Sequence, residues 1–238
     1  MKNEIQIEGD KSAYVQGMFS RIAPHYDLMN RLMTGGQDLA WRREVIRRAE
    51  LFSGARLLDL GAGTGDLARE ALRQQPQVNV LAADFTLGMM QAGKKRYNAP
   101  ARWSAADALA LPFADAQFDA LVSGYLLRNV SDLDQALSEQ LRVLKPGGVM
   151  VTLDTTRPPA HSLLTPFIRI HMRYVIPFLG GLISGQREAY TYLPSSSEGF
   201  LSAEELAARM SAAGFTQTGF HRRMFGTMAI HWGRKPAQ

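Results

Sequence analysis

Leu57-Leu58-Asp59-Leu60-Gly61-Ala62-Gly63-Thr64-Gly65-Asp66 is an apolar strand that runs straight into a glycine turn and then into the first residues of a helix. Three glycines in five residues let the backbone pass beneath a ligand where a Cβ would collide. The spacing is G-x-G-x-G, one residue shorter at the third glycine than the dinucleotide fingerprint, so a pyrophosphate on the helix N-terminus fits less well. A ribose-bearing ligand without a phosphate fits better. A nicotinamide dehydrogenase is the weakest reading for the same reason.

Outward from this turn, apolar runs alternate with helical periodicity, the pattern of βαβ units and a parallel sheet. The strands are expected at Arg56 to Leu60, Val78 to Ala83, Ala101 to Ser104, Phe118 to Ser123 and Val149 to Leu153. Helices are expected at Asp66 to Gln74, Leu87 to Tyr97 and Leu133 to Leu144, the last ended by Lys145-Pro146-Gly147-Gly148. Tyr14 to about Leu51 reads as a helical cap broken at Pro24 and at Gly35-Gly36. Late in the chain, Ser202 and Glu205 form a capping box for a helix that closes before Gly214. Thr218 to Phe225 and Thr227 to Arg234 follow as a hairpin around Gly226. The fold class is therefore α/β: a Rossmann-like sandwich with a mostly parallel seven-stranded sheet and an antiparallel C-terminal hairpin, which supplies an antiparallel edge strand. One domain is expected over 1–238, divided into a cap (1–52), a ligand-binding core (53–157), an insertion (158–200) and a terminal helix and hairpin (201–238).

Composition agrees with a folded interior protein. The 238 residues are 46% hydrophobic and 21% charged, an ordinary globular balance. There is no cysteine, which removes disulfides, thiolate metal sites and a cysteine nucleophile. No histidine-rich metal spacing appears either, so no metal is expected. The first ten residues mix charges with two isoleucines and lack the apolar core of a signal peptide, which points to a cytoplasmic address. The net charge of +5 raises nucleic acid as a partner. The basic residues are instead read as solvated helix faces, as in Arg42, Arg43, Arg47 and Arg48 around Val45 and Ile46. No D-P-P-Y-like base-flipping motif follows the fourth strand, and no nucleic acid is expected.

Ligands of open α/β sheets bind at the carboxyl ends of the strands. Asp84 closes the second strand 23 residues after Gly61, where an acidic residue accepts from ribose hydroxyls. Asp59 stands ready for a cationic amino group, directly or through water. Asp107 after the third strand suits an adenine amino group, with the backbone of Ala108 beside it. Each acid alone is equally a helix cap or turn former. In this order they describe a nucleoside with a cationic amino-acid tail.

The chain also resembles a known family, the class I methyltransferases, and within them the demethylmenaquinone/ubiquinone C-methyltransferases. The resemblance rests on Tyr26-Asp27-Leu28-Met29-Asn30 followed by Trp41-Arg42, on Ala110-Leu111-Pro112-Phe113, on Leu127-Arg128-Asn129-Val130-Ser131-Asp132, on Arg142 to Gly148 and on Tyr190-Thr191-Tyr192-Leu193. It covers almost the whole chain. The family's S-x-G-x-H run is replaced by Thr34-Gly35-Gly36-Gln37-Asp38, and its acidic E-x-S by Asp154-Thr155-Thr156. A serine used near the cofactor falls on Gly124, with Ser123 adjacent.

The resemblance implies S-adenosyl-L-methionine as methyl donor, held by Asp59, Gly61, Gly63, Thr64, Asp84, Asp107, Ala108, Ser123 and Gly124. It implies C-methylation of a polyprenylated quinol, demethylmenaquinol or the equivalent benzoquinol; another small phenolic or lipid acceptor is the alternative. A cofactor-binding regulatory domain without turnover is the non-enzymatic rival. Carbon methylation requires the neighbouring ring oxygen to be stabilised as an anion. Arg128 is the first choice for that role, acting electrostatically, against a salt bridge to Asp132 or Asp134. His25, Tyr26 and Asp27 are the candidate proton acceptors of the cap, although packing on the lid is the more ordinary role for each, and Asn129 orients the ring or, more ordinarily, caps the next helix. The insertion, with Leu163, Phe167, Tyr174 and Phe178, reads as a buried helix pair or as cover for a prenyl tail with peripheral contact to the membrane surface. It is too interrupted by charge to span one.

Overall fold

A computed structural model describes residues 17–23, 26–96, 101–157 and 199–237. The cap contributes α1 (Tyr26–Thr34) and α2 (Asp38–Arg48). The core follows as β1 (Arg56–Leu60), α3 (Asp66–Gln74), β2 (Asn79–Asp84), α4 (Leu87–Arg96), β3 (Arg102–Ala105), β4 (Phe118–Gly124), α5 (Leu133–Val143) and β5 (Leu144–Thr155). After the insertion come α6 (Ala203–Ala212), β6 (Thr216–Arg223) and β7 (Met228–Arg234).

The seven strands order as β3-β2-β1-β4-β5-β7-β6. β1 pairs in parallel with β2 and β4, whereas β7 runs antiparallel to both β5 and β6. The antiparallel strand is thus inside the sheet, and β6 forms the edge. That corrects the expectation of an antiparallel edge strand: the hairpin returns its second strand inward, where Val151, Leu153 and Ile230 join the buried core.

Alternation within the strands divides the core between two faces. Leu57, Val122 and Val151 pack with Trp41 and Val45 of α2 and Leu67 and Ala71 of α3. Leu58, Leu60, Leu121 and Met150 pack with Leu137 of α5 and Leu206 and Met210 of α6. Both faces of β1 are covered, which is why its sequence is nearly continuous in leucine. Asp59 interrupts that run and is itself only 1% exposed.

α5 stops at Val143, as the Lys-Pro-Gly-Gly signal requires. The strand, however, resumes at once: Leu144 pairs with Phe118, and the register shifts before Val149 meets Ala120. The same four residues end a helix and bulge a strand, with Gly147 supplying a φ of +77°. The terminal hairpin turns through Met224, Phe225 and Gly226, all at positive φ, so β6 ends two residues earlier than the apolar pattern indicates.

Arg42 also departs from expectation. It is 6% exposed and ion-pairs with Asp66 at the start of α3 and with Asp38 on its own helix (3.2 Å). Arg43 and Arg47 are solvent-exposed as read from the sequence. The helix period places Arg42 on the same side as Val45 and Ile46, and a buried arginine survives there because two carboxylates meet it. Among the described residues no helix is long and apolar enough to cross a membrane. The prenyl-cover reading of the insertion concerns residues 158–198, outside those described.

Candidate active site

The glycine turn adopts the conformation that its composition demands. Gly61, Gly63 and Gly65 all have positive φ, at +67°, +56° and +84°. A Cβ on Gly61 would stand 3.0 Å from Leu126, and one on Gly65 would stand 2.8 Å from the Trp103 ring. The turn is pinned to the second strand: the Ala62 amide donates to the Ala83 carbonyl (3.0 Å) and the Gly63 amide to Asp84 Oδ2 (2.7 Å). Asp84 Oδ1 accepts from the Thr86 amide (2.6 Å), so one carboxylate holds both sides of the crevice. Burial pushes its pKa up and those amides pull it back.

A cleft opens above the turn, walled by Leu60, Asp84, Met89, Asp107, Ala108 and Asn129. The Asp107 carboxylate accepts from the Leu109 amide (2.9 Å) and stands at the cleft wall. Gly61, Gly63, Gly124, Tyr125 and Tyr26 are shared with a smaller chamber, where Asp59, Thr64, Arg42 and Asp66 are found. Ser123 belongs to neither. Its hydroxyl is fully buried and donates to Thr152 Oγ1 (2.9 Å), so strand alternation aims it away from the ligand face. Gly124, next in the strand, lines both spaces.

Asp59 Oδ2 accepts from the Ala68 amide of α3 (2.9 Å), while Oδ1 is buried without a hydrogen-bond partner. Burial pushes its pKa up to about 7, reinforced by the Asp84 and Asp66 charges. A buried acceptor left without a donor costs free energy. An ammonium group delivered to it would meet that need.

The cap reaches this site through α1. Asp27 is buried and accepts from the Thr64 hydroxyl (2.8 Å), tying the cap to the glycine turn. Tyr26 lines both spaces and meets Phe19 edge-on at 5.9 Å. Burial raises its pKa, against the Arg128 charge, which keeps the hydroxyl protonated at neutral pH. A proton acceptor role for Tyr26 is therefore disfavoured. His25 lies outside the described residues.

Arg128 does not line the cleft. Its Nη1 meets Asp154 Oδ1 at 3.2 Å, its amide meets Asp154 Oδ2 at 3.3 Å, and both side chains are buried. Its guanidinium carbon lies 5.2 Å from the centre of the Tyr125 ring, and Nε is buried without a partner. The two acids that the sequence offered are used elsewhere: Asp132 caps α5 through the Gln135 amide, and Asp134 pairs with Arg209. Asn129 lines the cleft and donates from Nδ2 to the Tyr125 carbonyl (2.8 Å), bracing the strained backbone at Tyr125 (φ +62°). It does not cap the helix.

Sequence reasoning missed Arg42, Tyr125, Thr86 and Met89. Arg42 had a legible signal, since it stands at i+4 from Asp38 and three residues before a fully buried valine. The positive φ at Tyr125 had none, because tyrosine is not a residue that advertises it.

Fit to an adenosyl ligand with an amino-acid tail rests on three observations: a glycine cradle that a Cβ would fill, carboxylates at successive strand ends, and an orphaned buried oxygen. Residues 7–235 match the ubiE/COQ5 methyltransferase family. The ubiquinone/menaquinone biosynthesis C-methyltransferase UbiE of Desulfotalea psychrophila is 46% identical, over 94% of this chain and 92% of that one. Demethylmenaquinone methyltransferase of Thermus thermophilus is 45% identical over 92% of this chain and all of its own length. Among solved structures, the [4+2]-cyclase SpnF superposes with a TM-score of 0.62 at 19% identity, covering 94% of this chain and 96% of SpnF. Phosphoethanolamine N-methyltransferase 2 of Haemonchus contortus, solved with S-adenosyl-L-methionine, gives 0.60 at 16% identity, covering 83% of this chain and 52% of its own. A cyclase and an N-methyltransferase share the fold, so activity rests on the family match and not on shape. With that match over nearly its whole length, this chain is an S-adenosyl-L-methionine-dependent methyltransferase and belongs to the ubiE/COQ5 methyltransferase family.

Proposed function

We propose that the enzyme transfers its methyl group to a ring carbon of a polyprenylated quinol, demethylmenaquinol or the equivalent benzoquinol. The observation that carries this reading is the identity of 45–46%, nearly end to end, with relatives named for those two steps. S-adenosyl-L-methionine would be held by the glycine turn, Asp84 and Asp59 and would supply an electrophilic methyl, leaving as the neutral thioether while the ring carbon gives up its proton.

The chain's own part is to position the ring and stabilise its oxygen. Tyr26, kept protonated by burial, is a hydrogen-bond donor at the cleft wall. Asn129, braced on the Tyr125 carbonyl, is the second polar group there. Arg128, clamped by Asp154 beneath Tyr125, adds positive potential without contact. Leu109, Leu126 and Val130 give the cleft an apolar wall suited to a ring and its tail. The insertion is assigned the longer tail, with peripheral contact to the membrane that stores it.

Labelled methyl donor with short-tailed demethylmenaquinol and with demethylated benzoquinol tests the reading. Label in the carbon-methylated product of either quinol is expected. No transfer to either, with transfer to another phenol or lipid, would overturn it.

A further inference from the structure

Large apolar side chains left in solvent are ordinary when scattered singly and informative when grouped. Among the described residues these are Leu28, Leu32, Phe52, Phe85, Leu87 and Phe225. Phe52 precedes β1, at the end of the sheet away from the cleft; the others gather on the cleft side. Leu28 and Leu32, 47% and 49% exposed, stand one turn apart on α1, which starts at the cleft with Tyr26 and turns Asp27, Met29 and Asn30 inward. Phe85 lines the cleft, and Leu87 opens α4 two residues later. The two groups adjoin: a Cβ on Gly88 would stand 2.9 Å from the Ser20 hydroxyl, and Phe19, next to Ser20, meets Tyr26 edge-on. Phe225 is 69% exposed in the β6–β7 turn, beyond the paired ends of Thr155 and Met228, and is held there at a φ of +56° that aromatic residues avoid.

We propose that this rim is a docking face for an anionic lipid bilayer, with α1 lying in the headgroup boundary and the cleft mouth opening against it. The proposal deepens the quinol reading and rests on it for one reason, that a polyprenylated acceptor has to be drawn from a membrane. Charge favours an anionic leaflet as the occupant. Across residues 17–23, α1 and α4 the one carboxylate is Asp27, which is buried, while Arg21, Arg31, Lys94 and Lys95 are exposed. The hairpin from Thr216 to Arg234 carries no carboxylate either. Apolar side chains flanked by cations, with no exposed acid on the same elements, match the boundary between anionic headgroups and acyl chains.

The face is already formed, because Leu28 and Leu32 point outward while the buried side of α1 stays on the core. No described helix is long and apolar enough to span a membrane, so contact of this kind lies in the plane of the surface and is reversible. That suits an enzyme whose methyl donor is dissolved in water and whose acceptor is dissolved in lipid.

Flotation with extruded vesicles of phosphatidylcholine, with and without phosphatidylglycerol, tests the face. The wild type should float with the mixed vesicles, come off as salt is raised and leave pure phosphatidylcholine largely unbound. Leu28→Gln with Leu32→Gln keeps good helix formers at exposed positions and should weaken partitioning by about tenfold or more, while turnover of a short-tailed quinol in solution stays near wild type. Phe225→Asn, which suits a left-handed turn, should weaken partitioning without touching the cap. A wild type that binds neither vesicle, or both equally, overturns the proposal, and so does a double variant that floats as well as wild type. A lipid-free dimer that the double variant dissociates would overturn it too, since the face would then belong to a second copy of the chain. Flotation as expected in a protein that methylates neither quinol would support the face and overturn the quinol reading.

Discussion

Arg128 shows how far a single residue can be read from its neighbours in sequence. Its segment was legible as functional, yet its partner was not: Asp154 lies 26 positions away and meets it only because β4 and β5 are adjacent. An exposed pair with Asp132 or Asp134 would contribute at most about 1 kcal/mol. The observed pair is buried, and removing one member of such a pair typically costs about 3–5 kcal/mol by stranding the other charge. Arg128→Met is therefore expected to lower the unfolding free energy in urea by that amount. Asp154→Asn added to it should recover most of the loss. Because Arg128 does not line the cleft, the double variant should turn over within about tenfold of wild type, less than the 10²–10³-fold cost of deleting an oxyanion donor. A stable double variant that is slowed beyond that range would restore Arg128 to direct contact with the acceptor.

Elements were more legible than contacts, because periodicity and caps are local. α3 begins and ends where its sequence indicates, and α6 carries the capping box that Ser202 and Glu205 announce. The two bonds of that box are present, Glu205 amide to Ser202 Oγ (3.2 Å) and Ser202 amide to Glu205 Oε2 (2.7 Å). Ser202→Ala should cost about 1 kcal/mol and lower the melting temperature by about 2–4 °C in a domain of this size. Ser202→Asp should restore it, and an Ala variant that melts with wild type would show that the packing of Leu206 and Met210 with Leu137 and Phe215 holds α6 unaided. Less legible was the position of β7, since strand order depends on which edge the hairpin returns to and not on its own pattern. The continuation of β5 through Pro146 was hidden too, because a bulge lets a helix-stop motif serve as strand.

Across the whole molecule, function and stability oppose each other at the carboxyl ends of the strands. Asp59, Asp84 and Asp154 are each raised in pKa by burial, so the native state holds carboxylates that the unfolded chain would ionise at less cost. His231 is fully buried on β7 with Nε2 against the Ala203 carbonyl (3.0 Å) and Nδ1 unpartnered. Burial lowers its pKa to about 4. As pH falls from about 6.5 toward 4, the unfolded chain binds a proton that native His231 refuses, and stability drops by about 3 kcal/mol. Asp59, at about 7 in the native state and about 3.9 when unfolded, takes its proton first in the folded protein. Over nearly the same window it therefore raises stability, by about 4 kcal/mol. The two effects offset one another in the wild type, and single substitutions should separate them. Without ligand, Asp59→Asn should be the more stable protein at pH 8, since position 59 then carries no carboxylate to be ionised, and should lose that advantage steadily as pH is lowered to 4. His231→Gln keeps a donor for the Ala203 carbonyl and should gain on the wild type in acid. Urea unfolding at pH 8, 6 and 4 decides the matter: difference curves of opposite slope are expected, and two variants that run parallel to wild type would mean that neither group titrates between its folded and unfolded values.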